Sequence, residues 1–120
     1  MASGSNPVRR AYVDIPQGQI HYRTAGNEGP AVLLLHLTTG SSDCFADIIP
    51  ILATKHRVFA MDRLGHGGSD PCPDDVTMDD LIGYVLDFMD ALGLESTSIA
   101  GQSTGSYEGV EMAISHPERV

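Results

Sequence analysis

Val8 to Ile15 and Gly18 to Ala25 mix β-branched, aromatic and polar residues around the triplet Pro16-Gln17-Gly18. Near-alternation on either side of a turn predicts two strands of a hairpin at a sheet margin. After a turn at Gly26 to Pro30, Ala31-Val32-Leu33-Leu34-Leu35-His36 presents no polar face, which predicts a strand covered by helices on both sides. Ser42 to Ala53 places Phe45, Ile48, Ile49 and Leu52 at helical spacing, with Ser42 as the expected cap and Pro50 expected to end or kink the last turn. Arg57 to Met61 reads as a second short apolar strand that stops at Asp62, and the Gly, Pro and Asp of Gly65 to Asp75 read as loop. A longer helix follows. Thr77 caps it with Asp80 as a shortened capping-box partner, and Met78, Leu81, Ile82, Val85, Met89 and Leu92 form its apolar stripe. Asp79, Asp80, Asp87 and Asp90 lie mainly off that stripe, and Gly93 closes the helix. Ser96 to Gly101 is a further strand, Thr104 to Ser115 a further helix, and Pro117 its terminator. Strands alternating with helices from Ala31 onward predict right-handed crossovers and a mostly parallel sheet, so the expected class is α/β with helices on both faces and an antiparallel N-terminal hairpin.

Composition narrows the function classes. At 120 residues the chain has room for one compact domain. With 7 Lys and Arg against 16 Asp and Glu, its net charge of −9 repels phosphate backbones and anionic lipid, so neither nucleic acid nor a membrane surface is an expected partner. The longest aliphatic run, Ala31 to Leu35, falls far short of the roughly 20 residues a membrane helix needs. Residues 1–7 are small and polar and are expected to be disordered; no apolar signal region follows, which makes the cytoplasm the expected location. Cys44 and Cys72 form no C-x-x-C pair and are expected to be free thiols acting as structural filler. The histidines show no ligand spacing, so no metal is expected. Gly65-x-Gly67 is followed by no helix for about ten residues, and no phosphate-loop pattern occurs, so no cofactor is expected.

The chemistry concentrates in Gly101-Gln102-Ser103-Thr104-Gly105, a G-x-S-x-G at a strand-to-helix junction. A residue held between a strand end and a helix start makes a sharp, strained turn, and the positions two before and two after it approach each other closely. Both are glycine here. Such a turn lifts the Ser103 hydroxyl clear of the sheet and aims the Thr104 N–H, at a helix N-terminus, toward any oxyanion formed there.

On this junction the chain resembles the α/β-hydrolase fold family, whose nucleophile elbow has this pattern. Leu33-Leu34-Leu35-His36 is similar to the family's strand before its oxyanion loop. Asp62-Arg63-Leu64-Gly65-His66-Gly67-Gly68-Ser69-Asp70 resembles its D-x-x-G-x-G-x-S loop, and His116-Pro117-Glu118-Arg119-Val120 resembles the segment leaving its nucleophile helix. The resemblance runs from about Val13 to Val120. It implies Ser103 as nucleophile, the backbone N–H groups of Thr38 and Thr104 as oxyanion donors, and Gly101 and Gly105 as elbow supports. It also implies a small-molecule acyl substrate (an ester, lactone, thioester or activated C–C bond) and no cofactor. Three departures stand out. Leu37 occupies the place of a usual glycine after His36, Ser106 that of a second glycine after the elbow, and the nucleophile is Ser where the family's dehalogenases and epoxide hydrolases have Asp. Chemistry through an alkyl ester on a carboxylate is therefore not expected.

In that family the triad acid and histidine follow the nucleophile along the chain. After Ser103 come Glu108, Glu111 and Glu118 and a single histidine, His116. His116 lies on the same helix, about 19 Å along its axis from Ser103, too far to act as its base. His66 is expected to be loop filler, His36 a structural hydrogen-bonding group, and Asp62 the residue that fixes its own turn through backbone N–H groups. The expectation is a partial α/β-hydrolase domain over residues 1–120, without the later strands, lid, acid and histidine, that does not turn over alone. Two other readings stay open. One is a non-catalytic module that binds a partner or itself through an uncovered strand at Ser98 to Gly101; the other is complementation by a separate C-terminal half.

Overall fold

The computed structural model describes residues 7–120, so the expectation for the N-terminus falls, apart from Pro7, outside the described residues. The strands are β1 (Arg9–Ile15), β2 (Gly18–Ala25), β3 (Ala31–Leu35), β4 (Arg57–Met61) and β5 (Ser98–Gly101). The α-helices are α1 (Ile49–Leu52), α2 (Met78–Ala91) and α3 (Thr104–Ser115), with 3₁₀ turns at Ser42–Phe45 and Pro117–Arg119. One sheet runs in the order β1-β2-β4-β3-β5. The hairpin pairs antiparallel, Tyr12 opposite His21, and β2 lies antiparallel to β4, Tyr22 opposite Met61. β3 is parallel to both β4 and β5, with Leu35 opposite Met61 on one side and Gly101 on the other.

The absence of a polar face on β3 has a direct cause: all five of its residues are buried, because each face of the sheet carries its own core. Leu33 and Leu35 pack with Ile82, Val85, Phe88, Met89 and Met112 beneath α2 and α3. Val32 and Leu34 point the other way, into Ile49, Ala53, Val58 and Ala60. Period-two alternation therefore sends each hydrophobe of β3 to one core or the other.

α2 opens on the expected box, with Asp80 N–H donating to Thr77 Oγ1 at 3.1 Å and Thr77 N–H donating to Asp80 Oδ2 at 2.9 Å. It closes at Gly93, whose φ of +71° is the left-handed conformation glycine adopts freely. Phe88, outside the predicted stripe, is fully buried and meets Tyr22 edge-on at 5.3 Å.

Ser42 to Ala53 is not one helix. It is a 3₁₀ turn followed by a single α-turn, with Pro50 in the first turn of α1 and not its last. Proline donates no N–H and its ring crowds the carbonyl one turn back, so a helix begun at Ser42 cannot run through it. The cap is Ser41, whose side chain accepts from Asp43 N–H, while Ser42 is fully buried and gives its own N–H to Asp62 Oδ1 at 2.6 Å. The strand expected from Ser96 starts at Ser98, since Thr97 N–H instead meets the Arg119 carbonyl at 2.9 Å.

Candidate active site

Ser103 stands between β5 and α3 with φ +56° and ψ −115°, a backbone conformation that side-chain-bearing residues rarely adopt, and it is exposed. Glycine on either side makes this possible. A Cβ on Gly101 would lie 2.3 Å from the Gly105 carbonyl carbon, and one on Gly105 would lie 2.1 Å from the Leu35 carbonyl oxygen. The strand end, the helix start and β3 thus press together at backbone contact. Gln102 N–H continues the β3 ladder by donating to the Leu35 carbonyl at 3.1 Å, while the Ser103 carbonyl accepts from Ser106 N–H at 3.0 Å and Ser106 Oγ at 2.7 Å. Ser106, in place of a second glycine, therefore ties down the first turn of α3.

The loop after β3 comes to the same place. The hydroxyls of Thr38 and Thr104 are in hydrogen-bond contact, which sets Thr38 beside the N-terminus of α3. Neither backbone N–H of this threonine pair has a hydrogen-bond partner among the described residues. Leu37, where the resemblance leads one to look for glycine, takes no positive φ, so its side chain brings no backbone strain. That side chain folds back on Gly40, where a Cβ would lie 2.8 Å from Leu37 Cδ2.

Behind the loop lies a polar network that pattern reading did not assemble. His36 is fully buried; its Nε2 accepts the Arg63 N–H at 3.1 Å and its Nδ1 faces the Leu37 carbonyl at 2.6 Å. This pairing requires the proton on Nδ1. Burial lowers the His36 pKa from 6.5 to about 4, the Leu37 carbonyl opposing and the Arg63 charge assisting. Arg63 donates from Nε to Glu108 Oε1 at 2.9 Å and from its other arm to the His36 carbonyl, and both charged residues are buried. Burial raises the Glu108 carboxyl above its ordinary value against the pull of Arg63, and Glu108 Oε2 has no partner among the described residues. His66, expected as filler, spans two carbonyls: Nδ1 lies 3.1 Å from that of Leu64 and Nε2 lies 2.6 Å from that of Thr38.

Asp62 accepts from Ser42 N–H at 2.6 Å, Gly68 N–H at 2.9 Å and His21 Nδ1 at 2.8 Å. Burial works to raise its carboxyl, yet the hydrogen bonds from Gly68, Ser42 and His21 outweigh it and hold the group below the usual carboxylate value. Its turn-fixing role thus extends to β2 and to the loop after β3. His116 remains at the far end of α3, with Nδ1 on Ser115 Oγ at 2.8 Å. Among the described residues no cluster of three or more His, Cys, Asp or Glu is placed to hold a metal ion, and no helix is long and apolar enough to cross a membrane.

A sheet with parallel β4, β3 and β5 and an antiparallel hairpin, helices on both faces and a strained serine between β5 and its helix define the class. The family model of the alpha/beta hydrolase fold matches residues 30–120, and the chain belongs to that family. It is 32% identical over 118 residues to a 2-hydroxy-6-oxononadienedioate/2-hydroxy-6-oxononatrienedioate hydrolase of Paraburkholderia xenovorans, covering 91% of this chain and 41% of that protein. It is 32% identical over 127 residues to a haloalkane dehalogenase of Mesorhizobium japonicum, covering 100% of this chain and 41% of that protein. Among solved structures, the enol-lactonase from Burkholderia xenovorans superposes with a TM-score of 0.87 at 28% identity, over 92% of this chain and 44% of that one. The chain thus spans about two-fifths of the length of these two curated relatives.

Proposed function

We propose that residues 1–120 are the nucleophile-bearing part of a serine hydrolase acting on an ester, lactone, thioester or activated C–C bond of a small acyl substrate. The observation that carries this reading is the left-handed Ser103, exposed at a helix N-terminus between two glycines that no other residue can replace without backbone collision. Ser103 Oγ attacks the substrate carbonyl, its proton passes to a base, and the carbonyl oxygen becomes an oxyanion. The N–H groups of Thr38 and Thr104 receive that charge, each such donor being worth a few kcal/mol, about 3, to the transition state. Collapse breaks the bond to the leaving group, which takes up the proton, and water then hydrolyses the acyl-serine.

The base is not His36, whose two ring nitrogens are already engaged, nor His116 at the other end of α3. In this reading the acid and histidine come from outside residues 1–120. The enol-lactonase and the oxononadienedioate hydrolase, proteins of the same family named for hydrolytic reactions, support the acyl-substrate class. The haloalkane dehalogenase does not extend the reading to halides, since a serine at the elbow forms no alkyl ester on a carboxylate.

The test is acetylation by p-nitrophenyl acetate, read by peptide mass mapping on the chain and on Ser103→Ala. The expected result is one acetyl group on Ser103, absent from the variant, with no repeated turnover. Labelling of Ser103 no faster than that of the chain's other exposed serines overturns the nucleophile assignment. Repeated Ser103-dependent turnover overturns the need for a base from elsewhere.

A second reading has its own observation. Tyr107, Val110 and Ile114 recur at helical spacing on α3 and are 57%, 59% and 71% exposed, next to β5, which pairs with β3 along one edge. An apolar stripe beside an open strand edge favours association through this face, with a second copy or with a complementing half of the fold. A discrete dimer on a sizing column supports self-association. A monomer at tens of micromolar removes it.

A further inference from the structure

We infer that Arg63 is a positioning residue: by bridging Glu108 on α3 and the His36 carbonyl at the end of β3, its guanidinium sets the separation between Ser103 and the Thr38 loop. The inference rests on the assignment of Ser103 and Thr38 proposed above and deepens it.

Four successive carbonyls from β3 into the loop each face a hydrogen-bonding group. That of Leu35 accepts from Gln102 N–H, that of His36 from Arg63, that of Leu37 from His36 Nδ1 and Gly40 N–H, and that of Thr38 faces His66 Nε2. With its carbonyls drawn back in this way, the segment leaves the Thr38 N–H without an internal partner beside Thr104. Gln102 and Arg63 hold neighbouring carbonyls of this segment. The first ties β3 to the elbow itself, and the second ties the loop to a point one turn further along the same helix.

Beyond the direct Thr38–Thr104 hydroxyl contact, Arg63 joins α3 and the loop through one side chain. Its Nε grips Glu108, five residues after Ser103 on α3, while its Nη2 grips the peptide that leads into Leu37 and Thr38, and its own N–H fixes the His36 ring that holds the next carbonyl. The planar fork makes these contacts mutually dependent, since moving α3 outward drags the guanidinium from the loop. An ion pair buried this deeply is a poor source of stability, because desolvation offsets its attraction and apolar replacements are often as stable. What it supplies is a defined geometry. The pair lies 45 residues apart in sequence and joins the two elements whose spacing an oxyanion site depends on.

The test uses the double variant Arg63→Met/Glu108→Leu, which removes the bridge without stranding a buried charge, beside Arg63→Lys, which keeps the charge but loses the fork. In the double variant, amide exchange at Gly40, whose N–H donates to the Leu37 carbonyl, should quicken at least about tenfold while β2 and β4 keep wild-type protection. The maximal rate of Ser103 acetylation should fall by about a hundredfold, with the half-saturating ester concentration unchanged. Arg63→Lys should recover part of that rate. Unchanged exchange at Gly40, or exchange that rises uniformly across the sheet, overturns the inference, as does loss of folding in both variants, which makes Arg63 purely structural. If wild-type Ser103 never acetylates, the catalytic reading fails alone. Exchange at Gly40 still decides whether Arg63 orders the loop.

Discussion

Lowering the pH from 7.5 to 5 should weaken the fold through His36 in particular. The ring is fully buried, receives the Arg63 N–H on Nε2 and is held neutral, with its pKa lowered from 6.5 to about 4. The unfolded chain therefore takes up this proton first as pH falls, and stability that is complete above pH 6.5 is lost progressively toward pH 4. Linkage with those two values gives a loss of about 2 kcal/mol by pH 5 and about 3 kcal/mol by pH 4. Two neighbours bear on the window. Glu108, raised by burial, binds its proton more readily in the folded state and opposes the loss, whereas Asp62, held below its ordinary 3.8, adds to it only in stronger acid. Comparison with His36→Asn separates these terms. Asparagine keeps a donor near the Leu37 carbonyl but leaves the Arg63 N–H unpaired, a deficit of about 1–3 kcal/mol that does not vary with pH. In urea denaturation at pH 7.5, 6.5, 5.5 and 5, the gap between the two proteins should narrow by about 2 kcal/mol across the series. Parallel curves, or a His36 ring titrating near 6.5 in NMR spectra, would refute this account of the buried ring.

Three further substitutions probe separate parts of the molecule. Gly105→Ala drives a Cβ to 2.1 Å from the Leu35 carbonyl, so it should destabilise by at least about 3 kcal/mol and abolish Ser103 acetylation; a normal urea midpoint would disprove the close approach. Ser103→Gly should raise stability by about 1 kcal/mol while removing acetylation, because glycine tolerates the φ of +56° that serine bears under strain. An unchanged midpoint would mean that little strain is stored there. Gly83→Ala, in the interior of α2 where a Cβ meets nothing within 4 Å, should stabilise by about 1 kcal/mol in the same assay, and a loss would show that the helix surface is not as open as described.

Much of the architecture was legible because it follows from neighbours in sequence. The hairpin, the all-apolar β3, the Thr77–Asp80 box and the glycine-flanked serine each depend on turn chemistry or side-chain period within about ten residues. Where local reading failed, the controlling contact lay far away or a backbone rule overrode the apolar spacing. Pro50 split the helix expected from Phe45, Ile48, Ile49 and Leu52, and Phe88 was drawn inward by Tyr22 on a strand 66 residues earlier in the chain. Glu108 stood among the acidic residues after Ser103 without a partner, because nothing in its surroundings on α3 names Arg63.

The amino-acid order alone determined the class of fold and the place of the candidate nucleophile, since strand period, capping and the need for glycine at a strained turn are properties of short segments. Only the tertiary structure decided that β2 meets β4 and that the Thr38 loop reaches the start of α3. It also decided that His36, Arg63 and Glu108 share one buried network. These arrangements rest on charges and hydrogen-bonding groups that satisfy one another across long loops once water is excluded, and no short window of sequence contains both partners.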